Sequence, residues 1–286
     1  MRRTREKISN LTTYRFGGVC ENVVTIETID DILQIEDEIH YDNFYILGKG
    51  SNVAFSDKDF DKLLLIPQIK DISINNTTSE VVAGSGVFLP DLSRALYNNS
   101  ITGGEFLLGI PGSVGGAIRG NAGCWGSEIS EYLKSITVYE FSNKTVKTIQ
   151  KNQFKFGYRD GDFLDNYLIL SAEFQFSKSK KEDIYNIMSE LNAKRKSSQP
   201  SAIYNAGSVF KNPSDNSAGY LIEASGLKGF SIDKVRVSDK HANFFIAEKG
   251  AKSSSLYKLV QHVKGVVREK HEILLEEEIK FVGTFE

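Results

Sequence analysis

The sequence predicts an α+β protein with more than one lobe, and three observations carry that expectation. Short apolar runs alternate with segments of helical spacing through the first half of the chain. Longer strand and helix patterns follow in the second half. The polar, turn-rich stretch SSQPSAIYNAGS (197–208) marks the best domain boundary. At 286 residues the chain has length for about two domains.

The elements are expected in this order. VVTI (23–26) and FYIL (44–47) read as strands, with a helix from about Asp30 to His40 between them. Ile32, Ile35 and Ile39 would line that helix's inner face. LLLI (63–66) and EVVA (80–83) read as strands, and a short helix after Pro90 turns Leu92 and Leu96 inward. SITVYEF (135–141) and TVKTI (145–149) flank Ser-Asn-Lys as a hairpin. YLILSAEFQF (167–176) includes a long alternating strand. A helix from about Lys181 to Lys196 carries Ile184, Ile187, Met188 and Leu191 on one stripe. NSAGYLIEASGLKG holds a short helix stopped near Gly226. SSSLYKLVQHVKGVVREK is a longer helix capped by Ser253 or Ser254, with Leu256, Leu259, Val260, Val263 and Val267 buried. EIKFVG is a final strand.

Composition excludes several classes. Net charge is −2, which argues against nucleic acid or an anionic membrane surface as main partner. The basic start MRRTREKISN lacks a following apolar stretch, so a signal peptide is not expected. No apolar run approaches the ~20 residues of a membrane span. Cys20 and Cys124 form no CxxC, and none of the four histidines sits in HExxH; no metal site is expected.

Nine of the 24 glycines fall between Gly103 and Gly126. Glycine costs up to ~1 kcal/mol against alanine in a regular element, so this density implies backbone passing close to something large. Within it, GIPGSVGGAIRGNAG (109–123) offers Pro111, Gly112, Ser113, Gly115, Gly116, Asn121 and Gly123 as a surface for a pyrophosphate or a ring edge. ILGKGSN (46–52) places Gly48, Lys49, Gly50, Ser51 and Asn52 after a buried-looking strand. It matches neither the dinucleotide fingerprint nor the P-loop, and alone reads equally as a tight turn. FGYRDGDF (156–163) sets Arg159 for two-point binding of a carboxylate, or for a surface ion pair. NAGSVFKNP (205–213) offers Ser208 as a proton donor, or as a turn serine. It is not GxSxG, so a hydrolase nucleophile is unsupported. The three glutamates in LLEEEIKFVG (274–283) read as a solvated edge, or as a run with one member alternating inward as strand geometry demands.

Together these segments resemble the UDP-N-acetylenolpyruvoylglucosamine reductase (UDP-N-acetylmuramate dehydrogenase) family, in its short-chain branch. TTYRFGG, LGKGSN, GIPGSVGGAIRGNAG, GYRD, NAGSVFKNP, AGYLIEASGLKG, SDKHANF and LEEEIKFVG come in the family's order from Thr12 to Gly283. The resemblance implies a vanillyl-alcohol-oxidase-type FAD fold: two α+β subdomains, 1–67 and 68–198, and an α+β substrate domain, 199–274, with the strand in 275–286 returning to the second subdomain. It implies non-covalent FAD on Gly48–Asn52 and Pro111–Gly123, NADPH as reductant, and UDP-N-acetylglucosamine enolpyruvate as substrate in cytoplasmic peptidoglycan precursor synthesis. It implies no nucleic acid, membrane or obligate protein partner.

The family's catalytic positions fall on Arg159, Ser208 and Glu278. Hydride from reduced FAD would reach the enol-ether methylene, Ser208 would protonate the neighbouring carbon, and Arg159 and a protonated Glu278 would stabilise the enolate. Lys196, Asn212 and His241 match substrate positions, Lys196 being otherwise a solvated helix-end residue. Three positions depart from the family's usual wording: Lys49 for a glycine, Gly161 for a serine and Glu277 for a proline. The competing readings are another FAD-dependent oxidase or dehydrogenase of the same fold, and a nucleotide-binding protein without catalysis.

Overall fold

The structure is a computed structural model and describes residues 1–40, 42–161, 166–201 and 204–285. The last two residues of FGYRDGDF lie outside them. The chain divides into two compact units. The first comprises Met1–Thr4, Asn22–Lys49 and Lys62–Arg195; the second comprises Arg5–Glu21, Gly50–Asp61 and Lys196–Glu286.

In the first unit the early apolar runs form a parallel sheet. Leu63–Pro67 lies between Val19–Ile26 and Phe44–Ile46 and pairs with both. Val24, Ile26, Leu64 and Leu65 are fully buried, as strands covered on both faces require. The connecting helix is shorter than expected. It spans Ile29–Leu33 and then gives way to three-residue turns, with Ile35 N–H bonded to Ile32 O and Glu38 N–H to Ile35 O. Ile32 and Ile35 are nevertheless buried as their spacing predicts.

A five-stranded antiparallel sheet completes this unit. Its order is Thr145–Gln150, Leu133–Glu140, Tyr167–Gln175, Glu80–Gly84, Ile72–Asn75. The predicted hairpin is its first pair. Period-two burial is plain in Glu80–Gly84: Val81 and Ala83 are buried, while Val82 faces out. The inner face packs with Leu89, Leu92 and Leu96 of helix Leu89–Asn98. On helix Lys181–Ser198 Ile184 and Met188 are buried, but Ile187 is 42% exposed and falls off the expected stripe. The glycine-rich segment holds a helix the sequence did not suggest, Val114–Arg119.

The second unit is built around helix Ser253–His271. Leu256, Leu259, Val260, Val263 and Val267 are all fully buried, as their spacing predicts. They pack with Tyr14 and Phe16, with Ala54, and with an antiparallel meander of Ser231–Ile232, Val235–Val237 and Phe245–Ala247. The helix cap differs from expectation. Lys252 occupies that position, and the Ser253 N–H is taken by the Asp57 carboxylate at 2.9 and 3.2 Å. A carboxylate there satisfies a donor the helix leaves open and complements its dipole. The short helix Ala218–Ala224 stops as predicted, before Gly226 at φ +78°. The final strand, Lys280–Val282, pairs in parallel with Val53–Phe55 rather than with residues of 68–198. The pattern of EIKFVG shows a strand and nothing of its neighbour.

Leu259→Ala should destabilise the second unit by about 2–5 kcal/mol, the range for emptying a fully buried leucine site. A urea titration would show this as a lower midpoint at unchanged slope.

Candidate active site

In the first unit, Gly48, Ser113, Gly115 and Gly116 line one cleft, together with Ser85, Arg119 and Tyr167. Apolar walls come from Ile46, Pro67 and Ile169. Space explains the glycines here. A Cβ on Gly48 would lie 2.8 Å from Ser113 Oγ, and one on Gly115 would lie 3.0 Å from Ser85 Cβ. The N–H groups of Gly112, Val114 and Gly115 are already bonded to the carbonyls of Ile110, Val87 and Ser85. The backbone donors of these three residues are therefore already spent within the protein. Ser85 Oγ is buried with no hydrogen-bond partner within the protein. Lys49 is half-buried with Nζ 5.9 Å from the Phe88 ring centre. Burial lowers its pKa, and Lys70 lowers it further.

Arg159 is held by the same glycine-rich segment. Its guanidinium donates to Asn121 O at 3.1 Å and Gly123 O at 2.6 Å, and lies 3.5 Å from the Glu128 carboxylate. Its side chain is 18% exposed and stacks over Tyr158. Asn121 Nδ2 bridges Glu128 at 2.7 Å and Gly157 O at 2.9 Å, while its buried Oδ1 has no partner within the protein. Gly161 is buried, and a Cβ there would fall on the carbonyl oxygen of Arg119. That contact accounts for the glycine at this departure from the family's wording.

In the second unit, Ser208 and Glu278 sit on paired segments. Ser208 bridges Phe244, and Val209 N–H donates to Asn243 O at 2.8 Å. On the opposite edge Phe210 pairs with Glu277 and Lys211 N–H donates to Glu276 O. The N–H groups of Glu278 and Ile279 both aim at Val209 O, at 2.8 and 3.4 Å. Two residues facing one is a β-bulge, which breaks strict alternation and re-aims side chains. The three glutamates therefore separate by partner rather than by simple alternation. Glu276 meets Lys211 and Glu277 meets Lys264, at 2.6 and 2.8 Å. Glu278 is half-buried.

Asn52 joins this ladder. Its Nδ2 donates to Glu278 O at 3.2 Å, and its carbonyl accepts from Lys280 N–H. Gly50 has φ +61°, and its carbonyl accepts from Thr13 N–H and Oγ1. A Cβ on Gly50 would strike the Leu11 carbonyl. Ser51 is half-buried beside it. Asn212 Oδ1 caps Ala218 N–H at the start of helix Ala218–Ala224. His241 Nδ1 accepts from Asn243 N–H at 3.3 Å, which leaves the proton on Nε2. Burial lowers its pKa, consistent with a neutral ring. Lys196 is exposed near the end of its helix, its carbonyl bonded by the Lys240 ammonium.

Two family models match the chain: an FAD binding domain over residues 20–149, and the C-terminal domain of UDP-N-acetylenolpyruvoylglucosamine reductase over 199–282. The UDP-N-acetylenolpyruvoylglucosamine reductase of Listeria monocytogenes is 36% identical over 97% of this chain and 94% of its own. The chain belongs to the UDP-N-acetylenolpyruvoylglucosamine reductase family. The family's reductase 2 from Bacillus cereus is 37% identical over 97% of the chain and 92% of its own. The crystal structure of UDP-N-acetylenolpyruvylglucosamine reductase from Thermus caldophilus superposes with TM-score 0.85 at 28% identity, over 99% of this chain and 100% of that one. The α+β FAD-binding fold follows from that match.

The first unit fits the cofactor of this reductase family. Its cleft would be narrowed by a side chain at Gly48, and Ser85, which lines that cleft, has a buried Oγ with no partner within the protein. Ser85, Arg119 and Tyr167 are lining residues that sequence reasoning missed. They lie outside the glycine-rich segments or carry no glycine signal. Gly48→Val should weaken FAD binding by roughly 1–3 kcal/mol through overpacking. Flavin fluorescence on titration reads this directly.

Proposed function

We propose that this chain reduces the enolpyruvyl group of UDP-N-acetylglucosamine enolpyruvate to UDP-N-acetylmuramate, with NADPH as electron source. The observation that carries the reading is Val209. Its chain neighbour is Ser208, and its carbonyl accepts from the Glu278 N–H, so two candidate catalytic residues flank one residue. FAD, when bound, supplies the hydride that adds to the methylene carbon of the enol ether. That addition leaves an electron pair on the neighbouring carbon, shared with the carboxylate.

Ser208 Oγ delivers a proton to that carbon and is reprotonated from solvent. Serine is a weak acid in water, but the acceptor is a strong base and the distance is short and fixed. Arg159 stabilises the developing charge with fixed donors. Glu278, in its protonated form, donates a hydrogen bond to the substrate carboxylate. Asn212 and His241 meet the sugar or enolpyruvyl group, His241 as donor through Nε2, and Lys196 meets a phosphate. Gly48–Asn52 and Pro111–Gly123 hold FAD. In this reading residues 1–67 and 68–198 form the FAD-binding part and 199–274 the substrate-binding part, in a cytoplasmic enzyme of peptidoglycan precursor synthesis.

The test is an absorbance scan for bound flavin followed by NADPH oxidation with and without the enolpyruvyl sugar nucleotide. Oxidation that depends on that substrate is expected. A protein that stays colourless after FAD addition and shows no turnover rejects the reading. Reoxidation by oxygen but not by the sugar nucleotide points to an oxidase instead.

A further inference from the structure

We propose that Asn243 is a positioning residue of this site, holding the segment that carries Ser208 through its carboxamide and the His241 ring through its own N–H. The proposal rests on the reading of Ser208 as proton donor.

Asn243 is 3% exposed and spends every polar group on these two neighbours. Its Oδ1 accepts the Phe210 N–H at 3.0 Å, and its Nδ2 donates to the Phe210 carbonyl at 2.8 Å. One side chain thus plays the part of a missing strand residue, binding both backbone groups of Phe210. Its own carbonyl accepts the Val209 N–H at 2.8 Å. Its own N–H donates to His241 Nδ1 at 3.3 Å. The amide orientation is fixed by this pattern, because a flipped carboxamide would set donor against donor and lone pair against lone pair.

The arrangement matters because Ser208 sits where ordinary pairing is thin. Its segment has a single bridge to Phe244 on one edge and a single bridge, Phe210 to Glu277, followed by the bulge, on the other. Past Val209, the carboxamide extends the Phe244 side to Phe210. Without it, two buried backbone groups of Phe210 lose their partner, and the segment relaxes to find others. Because proton delivery depends on a short fixed distance, a shift of that segment acts on rate before it acts on fold. His241 loses its tautomer lock only if the loop 241–244 itself moves, so substrate affinity should change less.

The experiment uses the FAD-loaded full chain carrying Asn243→Ala or Asn243→Asp, with Ser208→Ala in parallel. Rapid mixing follows flavin reduction by NADPH and flavin reoxidation by the enolpyruvyl sugar nucleotide separately. Reduction should be unchanged. Reoxidation should fall by about 10²-fold, with an enlarged solvent deuterium isotope effect as proton delivery becomes limiting. Asn243→Asp keeps the side-chain shape and the bond to Phe210 N–H, and it carries the test if Asn243→Ala does not retain FAD. Equal slowing of both half-reactions, or FAD loss in both variants, overturns the proposal in favour of a purely structural role. Normal reoxidation in the Asn243 variants while Ser208→Ala slows it overturns the positioning role alone. Normal reoxidation in Ser208→Ala removes the reading of Ser208, and the proposal with it.

Discussion

Ser208→Ala is expected to slow reoxidation of the flavin by the enolpyruvyl substrate about 10²–10⁴-fold, the span for loss of a positioned proton donor. Flavin reduction by NADPH should proceed at its normal rate, since no proton from Ser208 enters that step. The substitution removes one half-buried hydroxyl and leaves its segment paired to Phe244 and flanked by the Glu278 N–H. Thermal stability should therefore change little, and the kinetic loss will not be a folding loss. Ser208→Cys keeps a donor at this position and should recover part of the rate. Stopped-flow absorbance on each half-reaction decides the matter: equal slowing of both, or of neither, removes Ser208 from the chemistry.

Arg159→Lys should lower turnover by about 10²–10³-fold, the loss typical when a preorganised charge-stabilising donor is removed. Charge is retained, so the effect isolates the fork. The guanidinium meets two carbonyls, Asn121 O and Gly123 O, at fixed separation. An ammonium is a point charge on a flexible stem and cannot reproduce two planar contacts while presenting a donor to substrate. The drop should fall mainly on kcat, because the carboxylate still meets a positive charge on binding. Turnover close to that of the unsubstituted protein would show that only the charge is used.

What the sequence revealed depended on whether its signal was periodic. The buried face of helix Ser253–His271 was legible because Leu256, Leu259, Val260, Val263 and Val267 repeat at helical spacing with polar residues between. Ile32, Ile35 and Ile39 repeat in the same way, yet the helix there stops at Leu33. The acidic residues that follow are drawn to distant partners instead. Glu36 accepts from Tyr139, Asp37 meets Lys144 and Glu38 meets Arg3. Tertiary pairing of that kind leaves no mark on local periodicity.

Helix Val114–Arg119 was hidden for the opposite reason. Two glycines in its first turn argue against a helix, and backbone bonds to Val87 O and Ser85 O hold it in place. Ordered motifs pointed to Arg159, Ser208 and Glu278 as candidates, but not to what holds each of them. Arg159 rests on main-chain carbonyls, which every residue possesses. Glu278 is aimed by a bulge, which strand alternation does not foresee. Asn243 was in plain view within SDKHANF, but its role depends on meeting Phe210 across 33 residues.

The parallel pairing of Val53–Phe55 with Lys280–Val282 also governs when this unit can assemble. Asn52 and Glu278 are 226 residues apart in sequence, and Tyr14 reaches Phe245 across 231. Closing such distances costs chain entropy before any contact rewards it, and contacts of long sequence separation slow folding. During synthesis, residues 5–21 and 50–61 emerge early and must wait for 196–286 before their apolar faces are covered. The other unit draws most of its residues from one continuous stretch, Lys62–Arg195, and can condense while translation proceeds. Of this unit's three segments, the one synthesised last therefore completes the ladder beside Ser208.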